Sequence, residues 1–172
     1  MSKSTQSIER VLFVCTGNIC RSPMAEGLMI ERLREEGRSD ISVSSAGIFA
    51  NPENTAEPFA VQVAREAGVD ISGHRARVVN NDNLNWADIV LAMESSQRGF
   101  ISLAFPHQSA KVFLLANFRR SRGGEIADPY GSSMETYRSC FEEIREAIDG
   151  FIQFLSSSSH LRNWGKRGSP QR

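Results

Sequence analysis

Val11-Leu12-Phe13-Val14-Cys15-Thr16-Gly17-Asn18-Ile19-Cys20-Arg21-Ser22-Pro23 is an apolar run that gives way to a polar, glycine-bearing loop and then to a helical pattern. The apolar run is short enough to be a buried strand of a parallel sheet. Pro23 suits a first helical turn, where a missing N–H costs nothing, and Ser22 is the expected N-cap. Strand, loop and helix in this order aim backbone N–H groups and the positive end of a helix at one point, as an anion site requires. The same field favours a thiolate over a thiol, and Cys15 stands where the strand ends.

Outward from this loop, strands and helices alternate. Met24 to Glu36 carries apolar positions at Ala25, Leu28, Met29 and Leu33 among charges, a helical stripe ended by Gly37. Ile41-Ser42-Val43-Ser44 alternates as a second strand, and Ser45-Ala46-Gly47 ends it near the anion site if the two strands are parallel neighbours. Phe49 to Glu57, with Asn51-Pro52 and Glu57-Pro58, reads as a loop. Phe59 to Ala67 reads as a helix closed by Gly68, followed by a turn-rich connection from Val69 to His74. Asp88 to Met93 is a third strand, Ser95 to Leu103 a helix and Lys111 to Leu115 a fourth strand. This alternation predicts a doubly wound α/β fold whose ligands sit beyond the carboxyl ends of the strands, and the Cys15 loop occupies such an end.

Tyr137, Phe141, Ile144, Ile148, Phe151, Ile152 and Leu155 repeat at intervals of three and four, the stripe of a long helix packed on the core. Ser132 and Glu135 fit a capping box at its start. Residues 1–9 read as a flexible N-terminus and 156–172 as a flexible basic tail, around a single domain at 10–155. A chain of 172 residues with 40% hydrophobic content can bury one such core. Lys plus Arg and Asp plus Glu are both 20, so charge gives no argument for nucleic acid or an acidic membrane as partner, and any anion recognition must be local. The first ten residues lack the apolar centre of a signal peptide and no stretch approaches a membrane span, so the expected location is the cytoplasm. Three Cys, at 15, 20 and 140, fit reactive or buried thiols better than a secreted disulfide framework.

Cys15 and Arg21 are separated by five residues, which lets Thr16, Gly17, Asn18, Ile19 and Cys20 wrap a tetrahedral oxyanion, the thiolate beneath it and the guanidinium fork on two of its oxygens. The spacing alone is weak, since a buried Cys followed by a surface Arg produces it too. What strengthens it is the strand before it, Gly17 and Asn18, which permit unusual backbone angles, and the helix start at Ser22-Pro23. It is not a nucleotide-binding P-loop, because the Gly-Lys-Ser/Thr ending is missing.

Val-Cys-Thr-Gly-Asn-Ile-Cys-Arg-Ser-Pro-Met-Ala-Glu at 14 to 26 closely resembles the low-molecular-weight protein tyrosine phosphatases, in a bacterial form close to the phosphoarginine phosphatase branch. Ser45-Ala46-Gly47, Gly73-His74, Ala92-Met93-Glu94 and Asp128-Pro129-Tyr130 stand in the family's order and at about its spacing. The resemblance implies a single α/β domain: a four-stranded parallel sheet with helices on both faces and a phosphate-binding loop after the first strand. It implies Cys15 as a nucleophile that forms a phosphocysteine, and Arg21 with the loop from Thr16 to Ser22 as holders of the phosphate. By the same resemblance Ser22 donates a hydrogen bond to the thiolate, and Asp128 protonates the leaving oxygen and then activates water. Without the family, Asp128 is only a loop carboxylate before a proline. Asn18, Ser22, Ser45 and His74 match a layer that supports the loop, and Thr16, Ile19, Phe49 and Tyr130 are expected to line the substrate pocket. No cofactor is implied, and the expected partner is a phosphorylated protein.

Cys20 has three readings: a reversible disulfide partner that traps oxidised Cys15, half of a metal site, or a packing residue. His74 and His107 lie too far away in sequence to complete a zinc spacing, so no metal is expected. Cys140 lies on the last helix and reads as structural. Three other functions share the loop. A thiol-dependent arsenate reductase needs a further pair of cysteines, and 88–103, where that pair is expected, has none. A phosphoarginine phosphatase tends to carry Thr where this chain has Ile19, whose apolar side chain suits an aromatic ring better than a guanidinium. A non-catalytic phosphate-binding module has no need of Cys15, Arg21 and Asp128 together.

Overall fold

The structure, a computed structural model, describes residues 7–121 and 123–157. Strands β1 (Arg10–Cys15), β2 (Ser42–Gly47), β3 (Ile89–Ala92) and β4 (Val112–Leu114) form one parallel sheet in the order β2-β1-β3-β4. Helices α1 (Arg21–Glu35), α2 (Pro58–Glu66), α3 (Asn81–Trp86), α4 (Ser95–Ala104) and α5 (Met134–Ser156) accompany it. The four-stranded α/β architecture expected from the sequence is the one observed.

Strand periodicity divides the core. Val11, Phe13 and Cys15 belong to one apolar cluster with α1, α2 and α5, whereas Leu12 and Val14 belong to a second with Leu84 of α3 and Ile101 of α4. Both faces of β1 are therefore buried, which is why its sequence is a continuous apolar run. Register pairs Cys15 with Gly47, so the ends of β1 and β2 lie side by side. The chain passes outward from β1 to β2 and returns across β1 to β3, and this reversal opens a crevice at the carboxyl end of β1.

Local details depart from the sequence reading. α1 begins at Arg21 with Cys20 as its N-cap residue, and Ser22 lies inside the first turn, because its hydroxyl is engaged by Cys15 rather than by the helix end. β2 begins one residue later than Ile41 and ends on Ser45-Ala46-Gly47 as expected, held there by the parallel pairing with Phe13, Val14 and Cys15. The cap of α5 is Ser133, whose Oγ accepts from the Thr136 N–H, one residue later than the Ser132 and Glu135 box. Gly17 is not in the left-handed region; Asn18 is, at φ 55°. α3 has no counterpart in the periodicity of the sequence, since it is short, polar and buries only Leu84. α5 extends to Ser156, one residue into the segment read as tail, while 1–6 and 158–172 lie outside the described residues.

α5 lies against the short 3-10 turn Leu115–Phe118 because Gly150 has no side chain: a Cβ there would stand 1.9 Å from the Phe118 carbonyl oxygen. Among the described residues no helix is long and apolar enough to cross a membrane.

Candidate active site

The loop after β1 is built from buried polar groups. Asn18 and Ser45 are fully buried, and the Asn18 Nδ2 donates to Ser45 Oγ and to Ser22 Oγ, both at 2.8 Å. Its Oδ1 accepts from the Arg77 N–H at 2.8 Å. His74 Nε2 meets the Asn18 carbonyl oxygen at 2.8 Å. One Asn in the left-handed region, which Asn tolerates better than most side chains, is thus fixed from four directions. Behind this layer, Glu26 accepts from Ser45 and lies near His74 Nδ1 at 3.9 Å and Arg77 Nη1 at 3.6 Å. Burial holds His74 below its ordinary pKa, against the opposing pull of the Asn18 carbonyl oxygen and Glu26.

Gly47 lets the loop lie on the end of β2. A Cβ there would stand 2.6 Å from the Thr16 oxygen and 2.8 Å from the Asn18 nitrogen. The Gly47 N–H donates to Arg77 and its carbonyl accepts from Val79, so 77–79 flanks β2 on the other side. The N–H groups of Ile48 and Phe49 donate to the oxygens of Cys15 and Thr16 at 3.1 and 2.9 Å.

Cys15 is 2% exposed, its Sγ 2.9 Å from Ser22 Oγ and 3.2 Å from the Asn18 N–H that donates to it. It faces the start of α1, which among the described residues has neither a side-chain cap nor an acidic residue in its first turn. A buried helix end with no side-chain cap, beside a sulfur that receives the Asn18 N–H and meets the Ser22 hydroxyl, is an arrangement suited to an anion.

Arg21 is 1% exposed. Its Nη1 donates to the Ile126 carbonyl oxygen and pairs with Glu94 Oε2, both at 2.8 Å, and its Nη2 lies 3.3 Å from Asp128 Oδ2. Burial works against its charge, but the Glu94 hydrogen bond and the nearby Cys15 and Asp128 outweigh it, and its pKa is raised. Asp128 Oδ1 accepts from the Tyr130 N–H at 3.1 Å, an Asx turn on an exposed loop. The structure therefore brings Cys15, Arg21 and Asp128 together, with Asn18, Ser22, Ser45 and His74 beneath them.

The expected pocket residues are more dispersed in environment. Ile19 is half-buried against the core, and its carbonyl accepts from Glu57. Phe49 and Tyr130 are 69% and 61% exposed, and Phe49 meets Phe100 edge to face. Cys20 packs inward, its Sγ 3.4 Å from the Tyr137 hydroxyl, and burial pushes its thiol up to about 12. Cys140 is likewise buried against the Ala127 carbonyl oxygen, its thiol pushed up to about 12 by burial. Among the described residues no group of three or more His, Cys, Asp or Glu could hold a metal ion.

Sequence reasoning missed the residues that hold Arg21 and Thr16: Glu94, and Gln97, whose Nε2 donates to Thr16 Oγ1 at 3.2 Å and to Glu94 Oε2 at 2.9 Å. The signal available was Glu94-Ser95-Ser96-Gln97, a helix start with Gln at its third position.

The family model for low molecular weight phosphotyrosine protein phosphatase matches residues 10–161. A protein-arginine-phosphatase of Geobacillus stearothermophilus is 38% identical over 148 residues, covering 86% of this chain and 97% of that relative. Among solved structures, the low molecular weight protein tyrosine phosphatase from T. tengcongensis is 41% identical at a TM-score of 0.80, covering 84% of this chain and 98% of that one. The tyrosine phosphatase Wzb from Escherichia coli K30, in complex with sulphate, is 32% identical at 0.78, covering 86% and 99%.

Proposed function

Because the chain belongs to the low molecular weight phosphotyrosine protein phosphatase family, we propose that it hydrolyses phosphotyrosine in proteins through a phosphocysteine intermediate. The observation that carries this is Cys15 Sγ, held by Ser22 Oγ and the Asn18 N–H at the uncapped start of α1, with Arg21 buried at the far end of the same loop. The Cys15 thiolate attacks phosphorus while the ester oxygen departs with a proton from Asp128. Arg21 and the loop N–H groups gather the charge of the equatorial oxygens, the preorganised donation that most lowers such a barrier. Asp128, now a carboxylate, takes a proton from water, which attacks phosphorus and breaks the S–P bond. Ser22 Oγ–H donates to the departing sulfur, and inorganic phosphate leaves.

Ile19 favours an aromatic leaving group: it adds apolar surface to the loop and has no hydroxyl to meet a guanidinium. The second reading, protein arginine phosphatase, is favoured by the relative of that name from Geobacillus stearothermophilus. Parallel assays of phosphotyrosine and phosphoarginine peptides decide between them. Higher kcat/KM on phosphotyrosine is expected, and Ile19→Thr should move the preference toward phosphoarginine. Preference of the parent for phosphoarginine overturns the substrate, and turnover of neither overturns the reaction. The location we propose is the cytoplasm. Cys20 is proposed to trap oxidised Cys15 as a disulfide; mild peroxide followed by a dithiol should then restore the parent but not Cys20→Ser.

A further inference from the structure

Gln97 is completely buried, and every hydrogen-bonding position of its amide is engaged. Its Oε1 accepts from the Met93 N–H at 3.0 Å and the Glu94 N–H at 2.9 Å. Its Nε2 donates to Thr16 Oγ1 at 3.2 Å and to Glu94 Oε2 at 2.9 Å, the same oxygen that pairs with Arg21 at 2.8 Å. Thr16 follows the thiol and Arg21 closes the loop, so one side chain touches the first position of the phosphate loop and reaches the last through Glu94.

We propose that Gln97 is a positioning residue of this active site, orienting the Arg21 guanidinium through Glu94 and fixing the loop at Thr16. The proposal rests on the phosphatase reading above. Its warrant is a choice between two side chains that a helix start treats alike. At the third position of a capping box either Glu or Gln supplies the oxygen that accepts from the helix end. Glu here would set a second carboxylate against that of Glu94 and leave Thr16 without its donor. The capping of α4 needs only the oxygen, whereas the loop needs the two N–H groups.

The test uses the full chain and Gln97→Glu, which keeps the capping oxygen and removes the tie. Turnover of p-nitrophenyl phosphate by the parent is measured first, because its failure removes the phosphatase reading and not this one. In Gln97→Glu, kcat/KM should fall about 10- to 100-fold near ~pH 8, with orthovanadate affinity weakened in step, since small misplacements of catalytic groups cost this much. Burial beside Glu94 raises the proton affinity of the new carboxyl, so it regains a donor on acidification. The deficit relative to the parent should therefore shrink toward ~pH 5, a profile that a damaged fold does not produce. Thr16→Val should weaken orthovanadate binding several-fold in the parent and add little in Gln97→Glu. Parent-like kcat/KM and orthovanadate affinity in Gln97→Glu across this range, or a deficit that does not change with pH, would reduce Gln97 to a helix cap.

Discussion

The floor of the site and its rim are built from opposite materials. On the floor, Asn18, Arg21, Ser22 and Ser45 are at most 1% exposed, and each is hydrogen-bonded or ion-paired to groups from other segments. On the rim, Phe49 and Tyr130 expose most of their surface; their N–H groups donate to the Thr16 carbonyl oxygen and to Asp128 Oδ1, and the Phe49 ring meets Phe100 edge to face. Buried polar groups must be satisfied or they cost stability, so the floor has one arrangement. Exposed rings meet no such demand. Phosphate chemistry is thus fixed by packing, while the choice of phosphorylated partner is left to side chains that can be exchanged at little cost to the fold.

Floor changes should then depress turnover of every substrate, and rim changes should discriminate among substrates. The largest effect is expected from Cys15→Ser: turnover falls by more than about 10⁴-fold, while orthovanadate binding stays measurable, because binding rests on the N–H groups and Arg21. Turnover near that of the parent would remove the proposed chemistry. Asp128→Asn, which stands between the two regions, should cost about 10²- to 10³-fold, and most for phenols that leave poorly. An equal loss across a leaving-group series would assign the proton to another acid. Gly47→Ala pushes a methyl into the Thr16 and Asn18 backbone and should cost about 10²-fold on small and peptide substrates alike. Selective loss on peptides alone would place Gly47 with the rim. Phe49→Ala and Tyr130→Ala should raise KM for peptides a few-fold and leave p-nitrophenyl phosphate kinetics nearly unchanged; a comparable fall in kcat on both would erase the distinction.

The smallest effect concerns pH. His74 is held below its ordinary value of 6.5 by burial, so the unfolded chain takes up this proton first. Stability present above about pH 6.5 is lost as pH falls toward the folded value. Denaturant midpoints should decline over this window in the parent and less in His74→Gln. Parallel acid declines in the two would excuse His74 from the stability of the floor.

Legibility in the sequence followed the distance between partners. The strand, loop and helix around Cys15 are local, so spacing and the apolar run were enough, and the stripe of α5 places Tyr137 to Leu155 inside as read. Ser22 was misassigned as a cap because one hydroxyl has two uses, and Cys15 Sγ at 2.9 Å is the one the fold takes. The helix α3 carried its signal in Asn80 and Asn83, which cap each other, but lacked the apolar stripe that periodicity detects. Glu94 and Gln97 were invisible as site residues because their contacts with Arg21 and Thr16 cross more than seventy positions of chain. The resemblance supplied Asp128 for the same reason: nothing near it in sequence points to Arg21.

The partners of the loop are also spread in time. A ribosome releases Cys15 and Arg21 early, but Asn18 needs Arg77, and Arg21 needs Glu94, Ile126 and Asp128. The nascent chain therefore carries the whole 15–21 loop while lacking the groups that enclose it. Closure of the loop is a property of the finished chain, and a transcript cut short before Ile126 yields a polypeptide with Cys15 and Arg21 but without the carbonyl and the Asp128 carboxylate that meet the guanidinium.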